Sequence, residues 1–147
     1  MDKHTILILE DDDERIRRFE RAVAALNPRL RLKLWRDAPT MIMECVPYLQ
    51  VACLISLDHD LTPAPSATTD PGTGLEVAEF LGQQDPACPV IIHSSNTERR
   101  WSMHNELRFG KWETEFVLPL GDHWIEHSWQ LRAKALINLP ADHARSS

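Results

Sequence analysis

Short apolar runs alternate along the chain with longer segments whose apolar positions recur every three or four residues. The first kind reads as strands and the second as amphipathic helices. Ile6-Leu7-Ile8-Leu9 is a continuous run of the kind buried on both faces of a parallel sheet. From Asp13 onward, Ile16, Phe19, Val23 and Leu26 share one helical face, and this helix is predicted to stop before Asn27-Pro28. Leu30, Leu32 and Leu34 alternate with polar residues, the period of a half-exposed strand near a sheet edge. Asp37 then stands as an N-cap ahead of Pro39, opening a helix that Pro47 should end or distort. Val51 to Leu57 is the next buried strand.

Thr62 to Thr73, with Pro63, Pro65, Pro71 and Gly72, is a loop, long for an α/β connection and of the kind that covers or binds ligands. Gly74-Leu75-Glu76 opens a third helix, and Val90 to Ile92 follows as a strand. Asn96 caps a helix running through Arg108 to a stop at Gly110, Phe116 to Leu118 make a fifth strand, and Trp124 to Leu139 close the fold. Five strands alternating with five helices, without an internal repeat, predict one α/β domain over residues 1–140 with a parallel sheet and a polar tail at 141–147.

Composition narrows the class. At 147 residues the chain has the length of one domain and can bury a core without staples. Its 43% apolar and 26% charged residues exclude wholesale disorder. No run approaches the roughly 20 apolar residues of a bilayer span, and Met1-Asp2-Lys3-His4 lacks the pattern of a secretory leader. A cytoplasmic protein without membrane contact is expected. Cys45, Cys53 and Cys88 form no CxxC pair and sit in or beside apolar segments, which fits reduced core thiols. The net charge of −6 argues against wrapping a polyanion, but not against a small phosphorylated ligand.

The chemistry gathers where strands end. In a 2-1-3-4-5, flavodoxin-like order, ligands bind beyond the carboxyl ends of strands one and three. That places Glu10 and Asp11 beside Asp58. Carboxylates crowded in a partly dehydrated crevice must take up protons or share a cation, and all-oxygen ligation favours Mg²⁺ or Mn²⁺. Glu10 and Asp11 also stand where helix-capping acids belong, so that role is open to them, whereas Asp58 has no helix to cap. The expected metal set is Glu10, Asp11, Asp58 and Asp60. His59 and His93 are candidates for proton transfer, although a histidine inside a strand end also suits a hydrogen-bonded core position, and neighbours on a strand point to opposite faces. Ser94 and Asn96 would either bind phosphate or cap the following helix, and Arg100 would join them on phosphate.

Ile-Leu-Ile-Leu-Glu-Asp-Asp, the aspartate ending strand three, Pro-Gly-Thr-Gly-Leu-Glu and Pro-Val-Ile-Ile-x-Ser resemble a response-regulator receiver domain over residues 5 to about 139. The resemblance implies that Glu10 and Asp11 are the metal-binding pair, Asp58 the phosphoacceptor or its derivative, and Ser94 the hydroxyl of that family. It also implies a lysine before the proline that ends strand five, where this chain has Leu118-Pro119; Lys111 lies at the wrong end of that strand. Leu57-Asp58-His59-Asp60-Leu61, the long loop before Gly72-Thr73-Gly74, and His93-Ser94-Ser95-Asn96 are similar to a divergent group, the cyclic-phosphate processing receiver domains. That resemblance implies Asp58, His59 and His93 as catalytic residues of a metal-dependent cyclic phosphodiesterase acting on nucleotides or RNA ends. The other reading is a stand-alone receiver or phospho-ligand-binding signalling module without catalysis.

Elsewhere the plain readings are preferred. His123 and His127 are spaced as a helical pair but lack a third ligand, and Arg15, Arg17, Arg18 and Arg21 read as a solvated helix face. Trp101, Trp112, Trp124 and Trp129 read as core packing. The face between the helix after Asn96 and the closing helix is the expected surface for a protein partner or a second copy.

Overall fold

A computed structural model describes residues 2–63 and 69–137. β1 (Thr5–Leu9) lies between the edge strand β2 (Arg31–Trp35) and the central β3 (Ala52–Leu57), with β4 (Val90–Ile92) and β5 (Thr114–Phe116) beyond β3. All pairings are parallel and the order is β2-β1-β3-β4-β5, as the alternation of elements predicted.

Side-chain parity divides the core. Leu7, Leu9, Ile55, Leu57, Val90 and Ile92 pack against α2 (Ala38–Glu44), α3 (Val46–Leu49), α4 (Gly74–Leu81) and α5 (Thr97–Phe109). Ile6, Ile8, Leu54 and Ile91 face the other way, against α1 (Asp13–Leu26) and a closing helix α6 over residues 124–137. Each fully buried aliphatic side chain contributes roughly 1.5–3 kcal/mol, and a one-residue slip would turn every one of them toward the wrong layer. Register in β1 and β3 is therefore fixed by burial, and with it the direction of each side chain that follows the strands.

Local signals behave as the sequence reads. Asp12 caps α1 through Arg15 N at 2.9 Å, Asp37 caps α2 through Thr40 N at 2.8 Å, and Thr73 with Glu76 forms a capping box on α4. Pro47 does break the second helix: α2 stops at Glu44, and Pro47 sits in the first turn of the separate α3. β5 differs from the Phe116–Leu118 expectation. It pairs through Thr114, Glu115 and Phe116, since an edge strand needs no continuous apolar run; Val117 is buried by the α1/α6 layer and Leu118 is 38% exposed. Within α6, Ile125–Trp129 forms a π turn, and the polar tail at 141–147 lies outside the described residues.

The three cysteines are free, with Cys45 and Cys53 buried. Trp112, Trp124 and Trp129 are buried while Trp101 is half-exposed, and His123 and His127 are exposed. No helix among the described residues is long and apolar enough to cross a membrane.

Candidate functional site

β1 and β3 deliver Glu10 and Asp58 side by side, both on the α1/α6 side of the sheet. Glu10 is completely buried. One of its oxygens accepts the N–H groups of Asp11 and Asp12 at 3.1 Å each, and the other lies 3.1 Å from His93 Nε2. Burial alone would raise the Glu10 carboxyl, but the hydrogen bond and charge of His93, the Asp12 N–H and Arg15 together hold it below the usual value. Asp58 goes the other way. Burial, reinforced by Glu10 and only partly countered by His93, the His59 N–H and Arg15, pushes its carboxyl up to about 6.

His93 stands behind this pair, fully buried against Phe19 and Trp124, with ring centroids 5.2 and 5.8 Å away. Its Nδ1 is 2.7 Å from Ser56 Oγ, and Ser56 Oγ accepts the indole N–H of Trp129 at 2.9 Å. Glu10 as a carboxylate can only accept, so the Nε2 proton of His93 is directed at it. Trp129, Ser56, His93 and Glu10 thus form one buried chain of hydrogen bonds with every member satisfied. The π turn in α6 is what carries Trp129 to it.

A cleft of about 770 Å³ opens over the acidic pair, lined by Glu10, Asp11, Asp58 and Asp60 together with Arg15, Thr62 and residues of the proline-rich loop. Asp11 accepts the N–H of Thr62 across the cleft, and burial and its neighbour Glu10 raise its carboxyl despite that bond. Asp60 is largely exposed at the rim. Glu10, Asp58 and His93 each offer a ligand atom, all within 4.8 Å of one another, whereas Asp11 and Asp60 do not join that tight group.

Other expected site residues lie elsewhere. His59 follows Asp58 and therefore points to the opposite face, where its Nδ1 accepts Leu75 N–H at 3.3 Å at the start of α4; burial lowers its pKa. Its Nε2 reaches toward Asp60 at 3.7 Å. Ser94 Oγ accepts Asn96 N–H at 3.1 Å, Asn96 caps α5 through Arg99 N at 3.1 Å, and Arg100 donates to the Ser94 carbonyl at 2.9 Å. These three cluster at the start of α5 rather than on the cleft wall.

Besides Ser56, two residues were missed by sequence reasoning. Arg15 is not part of a solvated face: its Nη1 is 3.7 Å from Glu10 and 3.9 Å from Asp58, and its guanidinium lies over the Trp124 ring at 5.2 Å. Arg18 likewise leaves that face to pair with Glu126 at 2.7 Å. The sequence offers only a partial signal: Arg15 lies four positions before the buried Phe19 and so on the same edge of the helix, but its partner Trp124 is brought near only by the fold. Gly74 is the second: a Cβ there would sit 1.9 Å from the Asp58 carbonyl oxygen, so only glycine lets α4 start this close to the site.

The strand order and the acid-bearing ends of β1 and β3 define a receiver-type domain. Residues 6–109 match the family described as the cyclic-phosphate processing Receiver domain, and the chain belongs to that family. Among solved structures it is similar to a response regulator receiver domain from Rhodospirillum rubrum (14% identity, 94% of each chain covered, TM-score 0.62). It is also similar to the response regulator domain of Thermotoga maritima CheB (15% identity, 95% of each chain, TM-score 0.61). A third is a chain of the CheX-CheY-BeF3-Mg²⁺ complex from Borrelia burgdorferi (11% identity, 90% of this chain and 87% of that one, TM-score 0.64). These similarities are of fold. No curated protein sequence gives a significant match.

Proposed function

We propose that the cleft binds a divalent cation, Mg²⁺ or Mn²⁺, through Glu10, Asp11 and Asp58 with Asp60 at the rim, and opens cyclic phosphates of nucleotides or RNA ends by hydrolysis. One observation carries this reading: two buried carboxylates, Glu10 and Asp58, converge at adjacent strand ends, and burial, with Glu10 adding to it, pushes Asp58 up to about 6. A cation relieves that crowding, and the hard oxygen donors fit Mg²⁺ or Mn²⁺ better than Zn²⁺. The Nε2 proton of His93 is already committed to Glu10, which keeps the donor set to oxygens. When bound, the cation would supply charge stabilisation on the phosphorus oxygens.

The residues of the chain supply the rest. A carboxylate oxygen not engaged by the cation can take the proton of the attacking water as the new P–O bond forms and pass it to the ring oxygen as its bond to phosphorus breaks. Asp58 is the group so placed. His93 acts through Glu10, fixing its orientation, and His59 holds the start of α4 beside Asp60. Ser94, Asn96 and Arg100 would receive a ligand's outer phosphate only where it reaches past the cleft toward α5. A protein partner or second copy would use the α5/α6 side, where Trp101 and Leu131 are exposed.

That neither histidine ring lines the cleft favours a second reading, a receiver or phospho-ligand sensor without turnover. Hydrolysis of 2',3'-cyclic nucleotides, RNA ending in a cyclic phosphate and ADP-ribose cyclic phosphates, assayed with Mg²⁺ or Mn²⁺, separates the two. The enzyme reading expects turnover that falls on the order of 10²- to 10⁴-fold in Asp58→Asn. No turnover by folded, metal-loaded parent protein sinks it.

A further inference from the structure

We propose that Arg15 is the phosphoryl-binding cation of this cleft, held in place by Trp124; this rests on the cleft taking a divalent cation with a phosphorylated ligand. A phosphoryl group brought between two carboxylates needs a fixed positive charge besides the metal. The end of β5 offers none, because Leu118 and Pro119 occupy it. Among the described lysines and arginines, Arg15 is the side chain within 4.0 Å of both Glu10 and Asp58.

Its geometry is that of a group awaiting an acceptor. At 3.7 and 3.9 Å it is close enough for attraction but too far for hydrogen bonds, so neither carboxylate consumes its donors. Among the described residues no side-chain hydrogen bond of the Arg15 guanidinium is formed, unlike Arg18, which is tied to Glu126 and the Asp122 carbonyl. The guanidinium carbon lies over the Trp124 ring at 5.2 Å, and that ring is itself buried and packed edge-on against Phe19. A planar fork with free donors, 32% exposed on the cleft wall, matches two oxygens of a phosphate. The Trp124 indole therefore does for this arginine what a strand would do for a lysine: it holds the charge in place.

The test uses the full chain with Mg²⁺ alone and then inorganic phosphate in saturating Mg²⁺, each followed by titration calorimetry on the parent, Arg15→Gln and Arg15→Lys. Removing a cation beside two carboxylates favours the metal, so Arg15→Gln should bind Mg²⁺ as tightly as the parent or tighter. Its phosphate affinity should fall roughly 10- to 100-fold, the loss of charged hydrogen bonds. Arg15→Lys, with the charge but without the fork, should fall between. A merely structural arginine would not lower phosphate affinity while leaving Mg²⁺ affinity intact or raised. Unchanged phosphate binding by Mg²⁺-loaded Arg15→Gln overturns the proposal, as does a Mg²⁺-loaded parent that binds no phosphate. Failure of the parent to bind Mg²⁺ at all instead removes the reading of the cleft on which the proposal rests.

Discussion

His93 and Glu10 share a 3.1 Å hydrogen bond at a place water does not reach, both side chains being fully buried. Neither can be changed without stranding the other, since a buried acceptor left without its donor bears the whole cost of its lost hydration. His93→Phe keeps a ring against Phe19 and Trp124 but removes both hydrogen bonds, and should cost about 1–3 kcal/mol at pH 7–8. In the parent, Glu10 is held below its unfolded value, so its stabilisation is present above pH 4.5 and lost as pH falls through its folded pKa. In the variant both His93 contributions are gone and only the Asp12 N–H and Arg15 still oppose burial, so its pKa rises and the deficit should shrink as acid protonates it. Urea melts of both proteins at pH 5 and pH 8 check this; an equal deficit at both contradicts it.

Asp58 has the reverse sign. Its folded pKa of about 6 lies above its ordinary 3.8, so folding favours the protonated form and the ionised carboxylate costs stability. The cost is absent below pH 3.8, grows through the window up to about 6 and then levels off at roughly 3 kcal/mol. Asp58→Asn should therefore stabilise the metal-free protein at pH 8 by an amount approaching that figure and give no gain near pH 3.5. Metal-induced gain in Tm should shrink below pH 6 in the parent, as protons compete, and nearly vanish in the variant at any pH.

Gly74→Ala should be among the most damaging single-methyl changes in the chain. The added carbon would overlap the Asp58 carbonyl, which is backbone and cannot swing aside, so a loss of about 3 kcal/mol or more is expected. Because the relief must come from moving Asp58 or α4, the metal-induced rise in Tm should fall with it. A thermal melt with and without Mg²⁺ decides whether the glycine serves the site or only the fold.

What the chain disclosed in its order depended on how local each cause was. Strand ends at Glu10 and Asp58 are visible because an apolar run breaks into charge, and the parallel sheet follows from the alternation of runs and amphipathic segments. Parity was visible too: Asp58 and His59 are neighbours on a strand end and cannot share a face, and the structure sends His59 beneath α4. Arg15 was hidden among Arg17, Arg18 and Arg21, because what distinguishes it is Trp124, brought near only by the closing helix. Ser56 was equally silent. A small polar residue inside a buried strand becomes meaningful only when Trp129 and His93 arrive on either side of it. β5 was misplaced by two residues because Val117, which is apolar, packs below the sheet edge rather than within the ladder.

The π turn at Ile125–Trp129 makes the site answerable to arithmetic as well as to chemistry. Such a turn holds one residue more than an α turn, and a helix advances ~100° per residue. Deleting a single residue from that stretch would let the helix regularise and would swing Trp129 around the axis, off Ser56, while every side chain of the acidic cleft stayed unaltered. Substitution scanning preserves the residue count and would pass over this dependence; a shortened chain would expose it.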